Sequence, residues 1–347
     1  MKKLILMIAL VFMMATPVNA MDITAPEVPQ DGQQFLKEEP DSFGAGLWSI
    51  IKEGIALVQP AIASTAGICV GLVGIVILVT MAKMIPGASE TTVELIGTIA
   101  VAAALIQPTG ALIQSGAQTV SQISDYGKLL IPVLTAALAA QGGMTSSTAL
   151  YAGTIVFDTV LSALIKSVIV PVLYIFLCLC VASTAMGEQL LGKLKAFSKW
   201  LMTWGLKIIL YVFTGFIGIT GVVTGSVDAA ALKATKLTIS GMVPVVGGIL
   251  SDASETILVS AGVLKNAAGV YGMLAVIALW IGPFIKIGVQ YLLLKGTFAL
   301  CSVFSAKQTT SLIQDFSSAM GMLLAMTGTM CALLLLSVIC FMKGVAL

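Results

Sequence analysis

The chain has 347 residues, 58% hydrophobic and 10% charged, where soluble domains carry about 25% charged residues. It cannot cover itself with water-facing groups, and a mean hydropathy of +1.06 assigns it to a lipid bilayer. All 18 basic residues are lysines and histidine is absent, which excludes imidazole-ligated metal, haem histidines and serine–histidine hydrolysis; the net charge is only +2, and no basic face interleaved with aromatics offers a nucleic-acid footprint.

Residues 1–20 read as a secretory signal: Lys2 and Lys3 form the basic region, Leu4 to Thr16 the apolar one, and Val18-Asn19-Ala20 a small-residue site cleaved after Ala20. An uncleaved first helix is the alternative. Residues 21–54 follow as an acidic arm rich in proline and glycine, which suits a flexible tether outside the cytoplasm. The remainder, 55–347, reads as a helical membrane domain.

A span needs about 20 mostly apolar residues. Ala61–Ala82 meets this and stops at Lys83; Leu95–Gln114 meets it with Pro108 inside. Leu129–Phe157 is uncharged but broken at Gly142-Gly143, as one kinked span or a short hairpin. Leu164–Met186 contains Pro171. Residues 187–207 then carry Lys193, Lys195, Lys199 and Lys207 with Trp200 and Trp204, the pattern of an interfacial helix on the cytoplasmic side. With an external N-terminus, that placement requires Leu129–Phe157 to cross twice or not at all, which favours the hairpin. Ile208–Val227, Ala267–Ile285 with Pro283, Ile287–Ala306 and Phe316–Phe341 complete the series. The expected fold class is an all-α polytopic membrane protein of six to eight spans, with Gly/Pro-broken segments.

Pro132 and Pro244, Pro171 and Pro283, and Lys195 and Lys307 recur at one common spacing. This hints at an internal duplication of residues 130–225 and 242–337, and corresponding broken helices in two halves are a pointer to transporter sites. Rival chemistry finds little support. Gly187-x-x-x-x-Gly192-Lys193 is followed by Leu194 rather than the hydroxyl that would hold Mg²⁺. Asp158 and Asp228, the two acids an aspartyl membrane protease would need, read as span-end residues that cap helices or meet lysines. The six cysteines all lie in apolar runs and read as small hydrophobes. No enzyme activity and no cofactor are expected.

The segment Asp228–Gly272 fits neither span nor loop. Lys233 and Lys236 share a helical face, as do Asp252 and Glu255, and Lys265 follows. Pro244-Val245-Val246-Gly247-Gly248 breaks it at the centre, and Ser251-Asp252 can start a new helix. Two readings stand: an interfacial hairpin of two short amphipathic helices that braces the bundle, or a pore lining in which Asp252 and Glu255 meet cations or lysines. The candidate residues are Lys233, Lys236, Pro244, Gly247, Gly248, Asp252, Glu255 and Lys265.

The same segment carries a resemblance. Asp228-Ala229-Ala230, Leu232-Lys233, Lys236, Val243-Pro244-Val245-Val246-Gly247-Gly248, Ser251-Asp252-Ala253 and Leu264-Lys265-Asn266 follow the pattern of the stage III sporulation protein AE family of endospore-forming bacteria. The resemblance implies a polytopic protein of the mother-cell membrane around the forespore. It implies a channel or export-gate role in a secretion-like transenvelope complex. It implies partners from the same operon, including a secretion-type ATPase and a ring-forming protein. A secondary transporter with a broken-helix site, or a scaffold that does not transport, are the alternatives.

Overall fold

The computed structural model describes residues 25–36, 42–186, 189–242, 247–304 and 306–343, with the backbone alone for Gln189 and for 221–265. Among these residues every regular element is helical and there is no strand. In chain order they are α1 (Gln30–Gln33), α2 (Phe43–Ala56), α3 (Val58–Lys83), α4 (Glu90–Ala140), α5 (Met144–Leu164), a π-helical turn (Ile165–Ile169), α6 (Val170–Met186), α7 (Gln189–Met242), α8 (Gly247–Cys301) and α9 (Lys307–Lys343).

Local chemistry sets the boundaries. Extended Ser42 and Ser89 cap α2 and α4, their hydroxyls accepting from the amides of Ala45 and Thr92. Helix α4 ends in a Schellman arrangement: the Gly143 amide reaches Leu138 O at 3.1 Å and the Gly142 amide reaches Ala139 O at 2.9 Å. Gly142 sits there at φ +88°, a conformation that side chains disfavour. Pro171 lacks an amide hydrogen, and its ring would crowd the carbonyl four residues back. The π-helical turn just before it widens the backbone at that place.

Among the described residues, six stretches are long and apolar enough to cross a membrane: Phe43–Lys83, Glu90–Ala140, Met144–Met186, Leu190–Thr220, Asn266–Cys301 and Lys307–Lys343. One sequence expectation holds in a longer form and another changes. Leu129–Phe157 is a hairpin whose arms are the ends of two longer helices, α4 and α5. Ala267–Ile285 and Ile287–Ala306 are one helix rather than two spans, because neither Pro283 nor the exposed Lys286 interrupts α8.

Helix α9 lies at the centre. Its Phe316, Leu323, Leu334 and Phe341 are fully buried. Helix α8 runs antiparallel to it, with Tyr291 against Gly321, Trp280 against Gly328 and Gly269 against Met342. Helix α4 runs parallel to it, with Gly97 facing Thr309, Gly116 facing Leu323 and Gly127 facing Leu334. An ion-pair cluster of Lys83, Glu94 and Thr309, and a second bridge between Lys195 and Asp315 at 2.8 Å, gather the α3–α4, α6–α7 and α8–α9 connections at one end. At 1.5 Å per residue the 51-residue α4 is about 76 Å long, more than twice the ~30 Å hydrocarbon core. Gln114, Gln118, Asp125 and Lys128 of α4 are exposed, so its second half shows water a polar face. On α7, Phe197 stacks on Trp200 at 5.9 Å and the Lys207 ammonium lies over Trp204, the amphipathic belt expected at a bilayer surface.

Part of the expected tether is packed. Val28, Phe35 and Leu36 are buried. Gly32 lies against Leu279 and Phe35 against Gly282 of α8, while the Tyr126 hydroxyl donates to Pro26 O at 3.4 Å. Three apolar side chains suffice to hold an otherwise acidic stretch, and residues 42–54 continue it as helix. Residues 1–20, with the cleavage expected at Ala20, lie outside the described residues.

Candidate functional site: a polar seam between two buried carboxylates

The segment singled out in the sequence forms the ends of two long helices rather than two short ones. Lys233 and Lys236 lie in the last turns of α7; Gly247, Gly248, Asp252, Glu255 and Lys265 lie in the first half of α8. Pro244 falls outside the described residues, as do the side chains of the others, Asp228 included. Of the expected break Pro244–Gly248, residues 244–246 lie outside the described residues and Gly247 and Gly248 are in α8.

The described side chains reveal a different polar feature. Along its buried face α4 carries Glu94, Thr98, Thr109, Thr119 and Ser124, and α9 carries Thr309, Thr310, Ser317, Thr327 and Ser337. Thr309 meets Glu94 and Thr327 lies beside Gly116 of α4, whereas the Ser317 hydroxyl donates to Tyr291 O of α8 at 3.2 Å, so the buried polar groups of the two helices face more than one neighbour. Several hydroxyls bond to their own helix: Thr119 donates to Ser115 O at 2.9 Å and Ser337 to Leu333 O at 2.9 Å. Others are buried without a partner, namely the hydroxyls of Thr98, Thr109 and Thr310. Unsatisfied polar groups at membrane depth are costly and mark functional places.

Two carboxylates are buried with them. Glu94 is 4% exposed. One oxygen takes the Lys83 ammonium, and the other accepts the Thr309 amide at 3.1 Å and its hydroxyl at 2.8 Å. That amide is in the first turn of α9, where amides have no helical partner and the dipole favours an anion. Lys83 also reaches Glu90 at 3.1 Å.

The second is Asp158, expected at a span end, where it would cap a helix or meet a lysine. The structure puts it inside α5 and 2% exposed, because the helix continues unbroken past it. One oxygen accepts the Ser124 hydroxyl at 2.6 Å; the other has no partner. The nearby ammoniums are engaged elsewhere: Lys128 pairs with Asp125 at 2.9 Å, and Lys166 donates to the Ser121 hydroxyl at 2.9 Å. Asp158 was visible in the sequence as a lone acid in an apolar run. The hydroxyls of the seam were not, since scattered Ser and Thr carry no signal until the helices are placed.

No cluster of three or more metal-ligating side chains exists among the described residues, and all six cysteines are free. The seam offers hydroxyls and two carboxylates, groups that can hydrate or guide a polar species through an apolar bundle.

A profile of the family described as stage III sporulation protein AE matches residues 41–344. The stage III sporulation protein AE of Bacillus subtilis (strain 168) is 24% identical over 170 residues, 49% of this chain and 43% of that protein. That match covers less than half of the relative's length. No solved structure matches. Since the profile spans all helices from α2 to α9, the chain belongs to the stage III sporulation protein AE family.

Proposed function

We propose that the chain is the membrane gate of a secretion-like complex that links mother cell and forespore during sporulation. Its family and the six membrane-length helices among the described residues support a membrane role in sporulation. The observation that carries the gate is the set of buried polar side chains on α4 and α9, with a sealed carboxylate, Glu94, and, on α5 beside α4, an incompletely satisfied one, Asp158. A scaffold needs no such buried polar groups. Lys83, Lys195 and Lys307 gather at the end of the short connections, which favours that end as cytoplasmic. The N-terminal segment and the α4–α5 hairpin then face the space between the membranes. The chain carries no nucleotide-binding motif, so the reading assigns energy input to a partner ATPase and continuity across the gap to a ring-forming partner.

The test replaces Asp158 by Asn and, separately, Glu94 by Gln at the native locus of a sporulating host. Co-isolation of the partners and a late forespore reporter are scored together. A gate keeps its partners and loses the reporter. Normal reporter activity in an assembled Asp158→Asn complex would sink the proposal and leave the scaffold. The unpartnered Asp158 oxygen also suits a secondary transporter; solute binding by the purified chain alone, abolished by Asp158→Asn, would select that reading instead.

A further inference from the structure

A second polar feature lies apart from the seam. A cleft of ≈ 420 Å³ opens between α3, α4 and α8, with Pro60, Ser64, Thr65, Pro108, Lys286 and Gln290 on its walls. The rest of its described lining is aliphatic and holds no acid. Lys286 and Gln290 are one helical turn apart on the same face of α8. Gln290 is 3% exposed, and its amide nitrogen is buried with no acceptor. Lys286 is exposed and has no ion-pair partner among the described residues. A buried amide nitrogen without an acceptor and an exposed ammonium thus share a cleft with apolar walls.

Depth narrows the occupant. A crossing of about 20 residues counted from the Lys83–Glu94 end finishes near Ser64 on α3 and Gln114 on α4, where polar exposure begins on α4. Lys286 lies about 22 Å along α8 from Cys301, close enough to that boundary for its stem to lift the ammonium to the interface. The cleft therefore straddles the edge of the hydrocarbon, with Leu57 and Pro60 toward the headgroups, Lys286 near the edge, and Gln290 and Ile68 deeper, toward the acyl chains. An anion with an aliphatic tail satisfies both halves.

We propose that this cleft is a binding site for an anionic phospholipid, with its phosphate headgroup held by Lys286, its ester carbonyl by the Gln290 amide one turn deeper, and an acyl chain running inward past Ile68. The experiment uses the full chain, purified in detergent. Native mass spectrometry and thermal unfolding are followed during titration with phosphatidylglycerol, phosphatidylcholine and, as a soluble phosphate, glycerol 3-phosphate. Phosphatidylglycerol should be retained and should raise the unfolding temperature; phosphatidylcholine should do neither. Lys286→Gln should weaken that retention on the order of tenfold, as expected for one charge-assisted hydrogen bond. Ala111→Trp, which fills the exposed mouth of the cleft without touching either donor, should also abolish it, whereas Lys343→Gln should not. Equal retention of both lipids overturns the proposal. So does glycerol 3-phosphate protecting as well as the lipid, which would make the site one for a soluble phosphate. Unchanged phosphatidylglycerol retention in both Lys286→Gln and Ala111→Trp overturns it as well.

Discussion

Glu94 is held inside an apolar bundle by three donors from two directions, Lys83 on one oxygen and Thr309 on the other. Removing one partner of such a pair strands a buried charge, which costs about 3–5 kcal/mol, while replacing both by apolar groups of similar volume is often close to neutral. Lys83→Met should therefore destabilise the chain by roughly that amount, and Lys83→Met with Glu94→Leu should recover most of it. Denaturant unfolding in detergent across the double-mutant cycle decides this, and additive effects would refute the coupling. The sequence showed Lys83 as the end of a span and Glu94 as the start of the next. It could not show Thr309, because an acceptor and a donor 215 residues apart meet only once helices are packed. Asp158 makes the complementary point. A charge reads as a boundary when only hydropathy is counted, yet Ser124 on a neighbouring helix lets α5 continue through it.

At the scale of elements, the Gly142-Gly143 hairpin was legible because glycine is the residue a Schellman end asks for. At φ +88° a β-branched side chain is strained, so Gly142→Val should cost about 1–2 kcal/mol and Gly142→Asn less. Thermal unfolding of the two variants measures it; equal effects would count against the strained turn. Helix continuity was less legible. Pro283 and Lys286 read as the end of a span, but a proline inside a packed bundle can be tolerated where neighbouring helices and hydroxyls meet the freed carbonyls. The packing of residues 25–36 was hidden for another reason: the stretch has a disordered composition on average, and only Val28, Phe35 and Leu36 carry its burial. Phe35→Ala should loosen it by about 3 kcal/mol. Limited proteolysis should then cut near residue 30 while α3–α9 stay intact, and an unchanged cleavage pattern would contradict the docking.

For the whole molecule, the arrangement predicts sidedness. In a cysteine-free background, single cysteines at Met84 and Val303, both well exposed in the short connections, should react with a membrane-impermeant maleimide from one side. A cysteine at Met144, exposed beyond the hairpin, should react from the other. Labelling of Met144 and Val303 from the same side would refute the six-crossing arrangement. An all-α chain with six membrane-length helices among the described residues stood within the expected range because long apolar runs are a direct readout of bilayer thickness. The extent of the helices beyond the bilayer was not legible, since Leu129–Phe157 and Ala267–Ile285 are as apolar as spans. Their buried apolar residues join a single core that also draws on α3, α6, α7 and α9.

The central position of α9 sets a timetable for biosynthesis. Ribosomes add about 5–20 residues per second, so Glu94 emerges roughly 10–40 s before the Thr309 that completes its shell. Through that interval the growing chain holds a carboxylate, a row of hydroxyls and the groove meant for α9 without the helix that closes them. A nascent chain in this condition is a natural client for a membrane insertase or chaperone that shields polar faces within lipid. Chains that stop before Lys307 should be cleared by membrane proteases, so the last helix acts as the quality checkpoint for everything made before it.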